Sequence, residues 1–441
     1  MFSKPMIRDL PPTSIHDIKI FLSIDMIRTF SFNLMIISLV LTLTDTLPGT
    51  VVGFLWGVNF LFHAILDYPT GVLGDLIGHR TVLAFAYLSK ALAVLVLLIA
   101  NDPTEYLVFM VISAIGNSQE SGALEAWFDN RYNNLAATVD KERTIYLKLQ
   151  AVRLPLLTAM SIGGFLVGGI IASASSRTNV FVLHFLIEFV VLVLVLLLLR
   201  GRASVKSQEV SVRGYLQKAV NTLGFLLRRR YLMLYFLGTA LIFAVNGTVW
   251  WTLMLFQLYR DYTGSDAGAS VLRSLVYLSG VFWQVILVRI ALRFRKAMFW
   301  VFLSSLLSNA VFFLLVMFLY LILPPSGLLI LPVILLLLIY QIPSFLESLD
   351  AMLRNKLNLD LIPDDYRNGL YSLLPTLVTI LGFPFVFVAG ATIEGFGLVA
   401  GFVILIGISL AGSFLLGLGL LSGRQKLSLK GHGIDPLPAG K

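Results

Sequence analysis

Asp67-Tyr68-Pro69-Thr70-Gly71-Val72-Leu73-Gly74-Asp75-Leu76-Ile77-Gly78-His79-Arg80 lies between two long apolar segments, roughly 50–73 and 81–100. The glycines at 71, 74 and 78 let a helix end pack closely and turn tightly where a larger side chain would block the approach. Asp75 and Arg80 place opposite charges at the mouth of that turn. A short Gly/Asp/Arg hairpin between two membrane helices is suited to act as a latch. It can lie against a neighbouring helix end in one conformation and release in another.

The rest of the chain has the composition of a membrane protein. Of 441 residues, 58% are hydrophobic and only 13% are charged, whereas soluble domains average about a quarter charged. Apolar stretches of about 18 residues or more recur, each long enough for about 30 Å of hydrocarbon. Twelve spans are expected, at 18–44, 50–76, 79–100, 104–128, 145–172, 178–200, 231–257, 266–290, 297–322, 327–352, 367–392 and 396–422. The fold class expected is therefore an all-α polytopic membrane protein. Among 33 Lys and Arg residues, only Arg177 and Arg260 fall in loops that follow odd-numbered spans, and Arg28, Lys90, Arg153 and Arg273 fall inside spans. That asymmetry puts both termini in the cytoplasm of a plasma (inner) membrane protein. The net charge of +9 is accounted for by these basic loops, so a lipid bilayer is the expected partner and nucleic acid is not. The expected layout is an N-terminal segment 1–17, a six-helix bundle 18–200, a basic linker 201–230, a second bundle 231–422 and a tail 423–441. Val212 to Leu227 within the linker reads as an amphipathic helix on the inner leaflet.

With no cysteine, disulfides and thiolate metal sites are excluded. The histidines at 16, 63, 79, 184 and 432 show no ligand spacing, so neither a metal nor a cofactor is expected. No HExxH, GxSxG or phosphate-loop pattern is present, and nothing supports an enzyme.

The stretch at 71–80 resembles the signature loop of the major facilitator superfamily, Gly-x-x-x-Asp-x-x-Gly-Arg-Arg between the second and third helices. Gly71, Asp75, Gly78 and Arg80 match, and His79 replaces the first Arg. The two halves also look alike. Leu124-Glu125-Ala126-Trp127 in span 4 parallels Leu349-Asp350-Ala351-Met352 in span 10; Phe30 to Asn33 parallels Phe243 to Asn246; Pro155 sits where Pro375 does. Two six-helix pseudo-repeats are the pattern of rocker-type transporters. The resemblance implies a twelve-helix transporter, here read as a monomer, with Gly71, Asp75, Gly78 and Arg80 as its cytoplasmic gate.

Ionisable groups inside spans are costly and face the bundle interior. Asp25, Arg28, Asp67, Glu120 and Arg153 all lie roughly 10–15 Å from the cytoplasmic end. Three acids and two bases leave one carboxylate without a cation, and such a group can take and release protons. Glu120 is the favoured candidate for proton coupling, and the alternative is a fully paired network that only holds helices together. Lys90 and Glu188 lie at similar depth on spans 3 and 6, and a mutual structural salt bridge is expected between them. Because the resemblance implies a pathway lined by spans 1, 4, 7 and 10, the candidate substrate-cavity groups are Asn33, Asn117, Gln119, Asn246, Trp250 and Gln341.

Gly164-Phe165-Leu166-Val167-Gly168-Gly169 resembles the Gly-Pro-x-x-Gly-Gly antiporter motif of drug exporters, with Phe165 in place of Pro. The exporters' span-4 Arg is absent, and Ser118 stands there. The expectation is alternating-access transport of a small organic solute, outward in exchange for protons. An importer of a small metabolite is the runner-up, and a non-transporting sensor or scaffold is the competitor from another class.

Overall fold

The computed structural model describes residues 10–136, 139–140, 144–199, 212–290, 296–325, 330–362 and 364–431. The chain opens with α1 (Pro12–Thr46), α2 (Gly49–Ile77) and α3 (His79–Ile99). Pro12 at the first helical position suits α1, because its missing N–H has no partner there anyway. Gly78 separates α2 from α3 with a φ of 91°. That backbone region strains any residue with a Cβ, so the hairpin depends on glycine at this position.

The span expected at 104–128 is split into α4 (Pro103–Glu120) and α5 (Ala123–Ala136). Asp102 starts α4 through a capping box with Glu105, which satisfies free N–H groups at that end. The split falls at Ser121–Gly122, where Gly122 has a φ of 69°. α6 (Thr144–Ala174) and α7 (Arg177–Leu198) follow, with Pro155 inside α6. α8 (Val212–Arg228) occupies the expected amphipathic stretch.

In the second half, α9 (Arg230–Ala244), a π-helical segment Val245–Met254 and α10 (Leu255–Thr263) form one continuous rod. α11 (Asp266–Ile290) is next. α12 (Ala297–Ser305), a second π segment Leu306–Val311 and α13 (Phe312–Ile322) form another rod. α14 (Ile330–Ile339), α15 (Gln341–Leu361), α16 (Asp364–Phe396) and α17 (Leu398–Gly431) complete the chain. Eleven of the described segments are long and apolar enough to cross a membrane; the broken α4/α5 pair covers the remaining expected span, 104–128. Phe85, Leu88, Leu92 and Leu95 on α3, with Leu186, Phe189 and Val190 on α7, are large exposed apolar side chains. Such a surface fits hydrocarbon and not water.

Two compact units result. The first contains residues 1–209 and 256–278, and the second contains 210–255 and 279–441. One division falls between 209 and 210, and the segment 256–278, expected in the second bundle, goes with the first unit. Within that unit α1 packs along α6 and α7, and α3 packs on α4 and α7. The α1–α6 contact is built on glycine. A Cβ on Gly164 would stand 2.6 Å from the Phe30 carbonyl oxygen, and one on Gly168 would strike the Leu34 carbonyl. These two glycines are therefore accounted for by close helix packing. In the second unit α9 meets α17 in the same way, with Gly238 set against the backbone at Gly412 and Leu416.

Candidate functional site

The first unit carries a continuous chain of charged side chains inside its spans. Asp25 on α1 lies at its centre and is fully buried. Arg28 Nε donates to Asp25 Oδ1 at 2.6 Å, and Arg153 Nε, from α6, donates to Oδ2 at 2.5 Å. The same two arginines converge on Glu125 Oε1, at 2.7 Å from Arg28 and 2.6 Å from Arg153. Arg28 Nη1 also stands 3.6 Å from Glu120 Oε1. Glu120 is closed on its far side by Lys90 of α3 and by the Tyr87 hydroxyl, which donates at 2.7 Å.

The break at Gly122 makes this possible. It ends α4 at Glu120 and starts α5 so that Glu125 falls in the first helical turn, where free N–H groups favour a carboxylate. Sequence reasoning left Glu125 out. Its presence, with Lys90, balances the chain: Asp25, Glu120 and Glu125 against Arg28, Lys90 and Arg153.

Two expectations change as a result. Lys90 bonds Glu120 and does not form the pair expected with Glu188; Glu188 instead accepts from Ser31 at 2.8 Å. Glu120, expected as the carboxylate short of a cation, has two cations and a phenol about it. Asp67 lies with its carboxylate 3.8 Å from His63 Nε2, one turn back on α2, while Asp25, Arg28, Glu120 and Arg153 do come together.

The gate residues are only partly described. Arg80 Nη2 donates to the Leu196 carbonyl at 2.5 Å, tying the start of α3 to the end of α7. The side chain of Asp75 and the surroundings of Gly71 lie outside the described residues.

The candidate cavity groups divide. Asn33 bonds the Thr29 carbonyl and Ser161, and Gln341 bonds Trp283 and the Leu337 carbonyl, so both are held within the helix packing. Trp250 is 2% exposed and packs against Phe312, Phe313 and Phe402. It is a core residue of the second unit, because the π segment turns its ring inward, and the expectation that it lines a cavity is corrected. Asn117, Gln119 and Asn246 are half-buried.

Asn246 has a neighbour that the sequence reading missed. Its amide nitrogen stands 3.5 Å from Glu347 Oε1 on α15 and 3.4 Å from Asn309 Oδ1. Asn246 and Asn309 each sit in a π segment, a local widening common at functional sites. Glu347 is exposed although it lies within a membrane span, and an exposed carboxylate at that depth is a functional candidate by default. The signal in the sequence was the charge itself, inside 327–352.

No family model matches the sequence, and no curated protein matches it. Solved structures do match in fold. The nucleoside transporter NupG, as a point mutant, superposes with a TM-score of 0.73 at 12% identity, covering 92% of this chain and 99% of that one. A structure from work on substrate recognition in proton dependent oligopeptide transporters gives 0.65 at 13% identity, covering 94% and 100%. A POT family transporter in complex with a thioalcohol-conjugated peptide gives 0.69 at 13% identity, covering 96% and 99%. The chain is an all-α integral membrane protein that shares the fold of these transporters.

Proposed function

We propose that the chain is a secondary transporter that takes up a small polar organic solute by alternating access, coupled to protons. The observation that carries this reading is the likeness in fold, over more than nine-tenths of the chain, to transporters of nucleosides and peptides.

In this reading Glu347 and Asn246 recognise an ammonium or other N–H donor on the solute. Asp75 and Arg80 latch the cytoplasmic side, with Gly71 and Gly78 allowing the close approach. The Asp25/Arg28/Glu120/Glu125/Arg153 chain holds α1, α4, α5 and α6 in register. Gly164 and Gly168 meet the α1 backbone, so close packing accounts for them and their resemblance to an exporter motif carries no separate weight for efflux.

Sealed proteoliposomes with a luminal pH dye, challenged from outside with dipeptides, nucleosides and primary amines, test this. Symport predicts that the lumen acidifies when the transported compound is added. Alkalinisation would make the protein an antiporter and restore efflux. If no compound moves protons or equilibrates as a labelled solute, the transporter reading fails.

A further inference from the structure

Ser31, His184 and Glu188 form a second titratable cluster, beside the balanced chain and outside it. All three are buried, Glu188 at 2% exposure. Ser31 Oγ, on α1, lies 2.8 Å from Glu188 Oε1 and 2.7 Å from His184 Nδ1, both on α7. His184 Nδ1 stands 3.7 Å from the same carboxylate oxygen. Glu188 Oε2 has no hydrogen-bond partner among the described residues.

The surrounding charges are already committed. From α3, Lys90 closes on Glu120, and Tyr87 donates to Glu120. From α1 and α6, Arg28 and Arg153 are held by Asp25 and Glu125. Glu120 of α4 and Lys90 are the charges within electrostatic reach of Glu188, and they offset one another. An ionised Glu188 would therefore sit out of water with one hydroxyl donor and no cation of its own. A carboxylate so placed is costly, and one added proton removes the charge. A hard metal cation would need about six oxygens; the slot offers Ser31 Oγ and the two Glu188 oxygens.

We propose that Glu188 is a proton-binding site, with Ser31 as a reversible hydrogen-bond hinge to His184. The chain of three groups is satisfied in either state. With Glu188 ionised, His184 carries its proton on Nδ1 and donates to Ser31, which donates to the carboxylate. With Glu188 protonated, the acid donates to Ser31, Ser31 donates to Nδ1, and the imidazole proton sits on Nε2. One proton enters, the hydroxyl reverses, and the imidazole changes tautomer without gaining charge. Because Ser31 is on α1 and its partners are on α7, displacement of one helix against the other breaks the chain. Loading is thereby linked to conformation.

The binding site stands on the geometry alone; its role in coupling rests on the transporter reading above. Infrared pH-difference spectra of the purified full-length protein in lipid test the site itself. Wild type should show a carboxylic-acid C=O band near neutral pH that Glu188→Gln loses. Ser31→Ala should keep that band and shift it upward, as for an acid freed of a hydrogen bond. A band that survives unmoved in both variants, or that is absent from wild type, overturns the proposal. In proteoliposomes Glu188→Gln should retain counterflow of labelled solute at equal pH and lose accumulation driven by a pH gradient. Undiminished pH-driven accumulation in that variant would sink the coupling role. Absence of any transport in wild type would sink the transporter reading and leave the infrared result standing.

Discussion

Arg177 grips Asp266 along one edge of its guanidinium, Nε to Oδ2 at 2.6 Å and Nη2 to Oδ1 at 3.0 Å, and turns Nη1 to Asp45 Oδ2 at 2.8 Å. Arg260 bonds the same Asp45 oxygen. Two arginines and two aspartates thus tie the end of α1 to the starts of α7 and α11 and to α10, all within the first unit. Arg177 and Arg260 are also the two basic residues that the charge distribution placed on the far side of the membrane. Both are held in this cluster.

A fork-to-carboxylate contact with a shared second partner is stronger than an isolated surface pair. In a double-mutant cycle on Arg177→Gln and Asp266→Asn, thermal unfolding in lipid should give a coupling of about 1–2 kcal/mol. The double variant should therefore be little worse than either single one. Simple additivity would show that the contact contributes nothing measurable.

The α1–α6 glycine contact allows a sharper contrast. Gly168→Ala would drive a methyl group into the Leu34 carbonyl, which is rigid helix backbone, and should cost about 1–3 kcal/mol. Gly280→Ala meets nothing within 4 Å and should be neutral or stabilising by about 0.5–1 kcal/mol through lower entropy of the unfolded chain. Size-exclusion profiles and melting temperatures of the two variants check both signs. Equal behaviour would mean that the helices separate at no cost.

Hydropathy made the spans legible because a lipid-facing helix cannot hide its composition. The ends of α11 and of the α12–α13 rod fall where the apolar runs fall. Intramembrane charge was legible for the same reason: Asp25, Arg28, Glu120 and Arg153 have nowhere to go but towards one another. Depth along a helix does not give azimuth. Lys90 and Glu188 lie at similar depth, yet Lys90 faces α4 and finds Glu120, while Glu188 faces Ser31. Helix breaks were hidden too. Nothing in a hydropathy profile marks Gly122 as a left-handed hinge, so Glu125 read as the end of a span. A π segment shifts the azimuth of the side chains along its helix, which sent Trp250 into the core and brought Asn246 beside Glu347.

The second unit has its own buried ion pair. Arg354 forks onto Asp350, at 2.8 Å and 3.0 Å, and fills its remaining donors with Thr239 and Ser305. Removing one member leaves the other charged and buried. Arg354→Met should therefore cost about 3–5 kcal/mol, while Asp350→Leu combined with Arg354→Met should recover most of it. Denaturation of the three proteins in the same lipid measures this. A double variant as unstable as the single would show that Thr239 and Ser305, stripped of their partner, carry the cost.

Glu347 differs from the carboxylates of Asp25, Glu120, Glu188 and Asp350 described above because it is exposed. Burial gives the fold little stake in it, so Glu347→Gln should change unfolding by no more than about 0.5 kcal/mol. If it binds an ammonium group, the loss of one charge-assisted hydrogen bond should weaken amine-bearing solutes by about 10- to 100-fold. Uncharged analogues of the same shape should bind nearly as before. Asn246→Ala should weaken both classes modestly, because a neutral amide discriminates less by charge. Competition against a labelled solute in counterflow separates the cases. A uniform loss across charged and uncharged compounds would make Glu347 a positioning group for Asn246. An intact affinity for amines would remove it from recognition and leave solute binding to other groups.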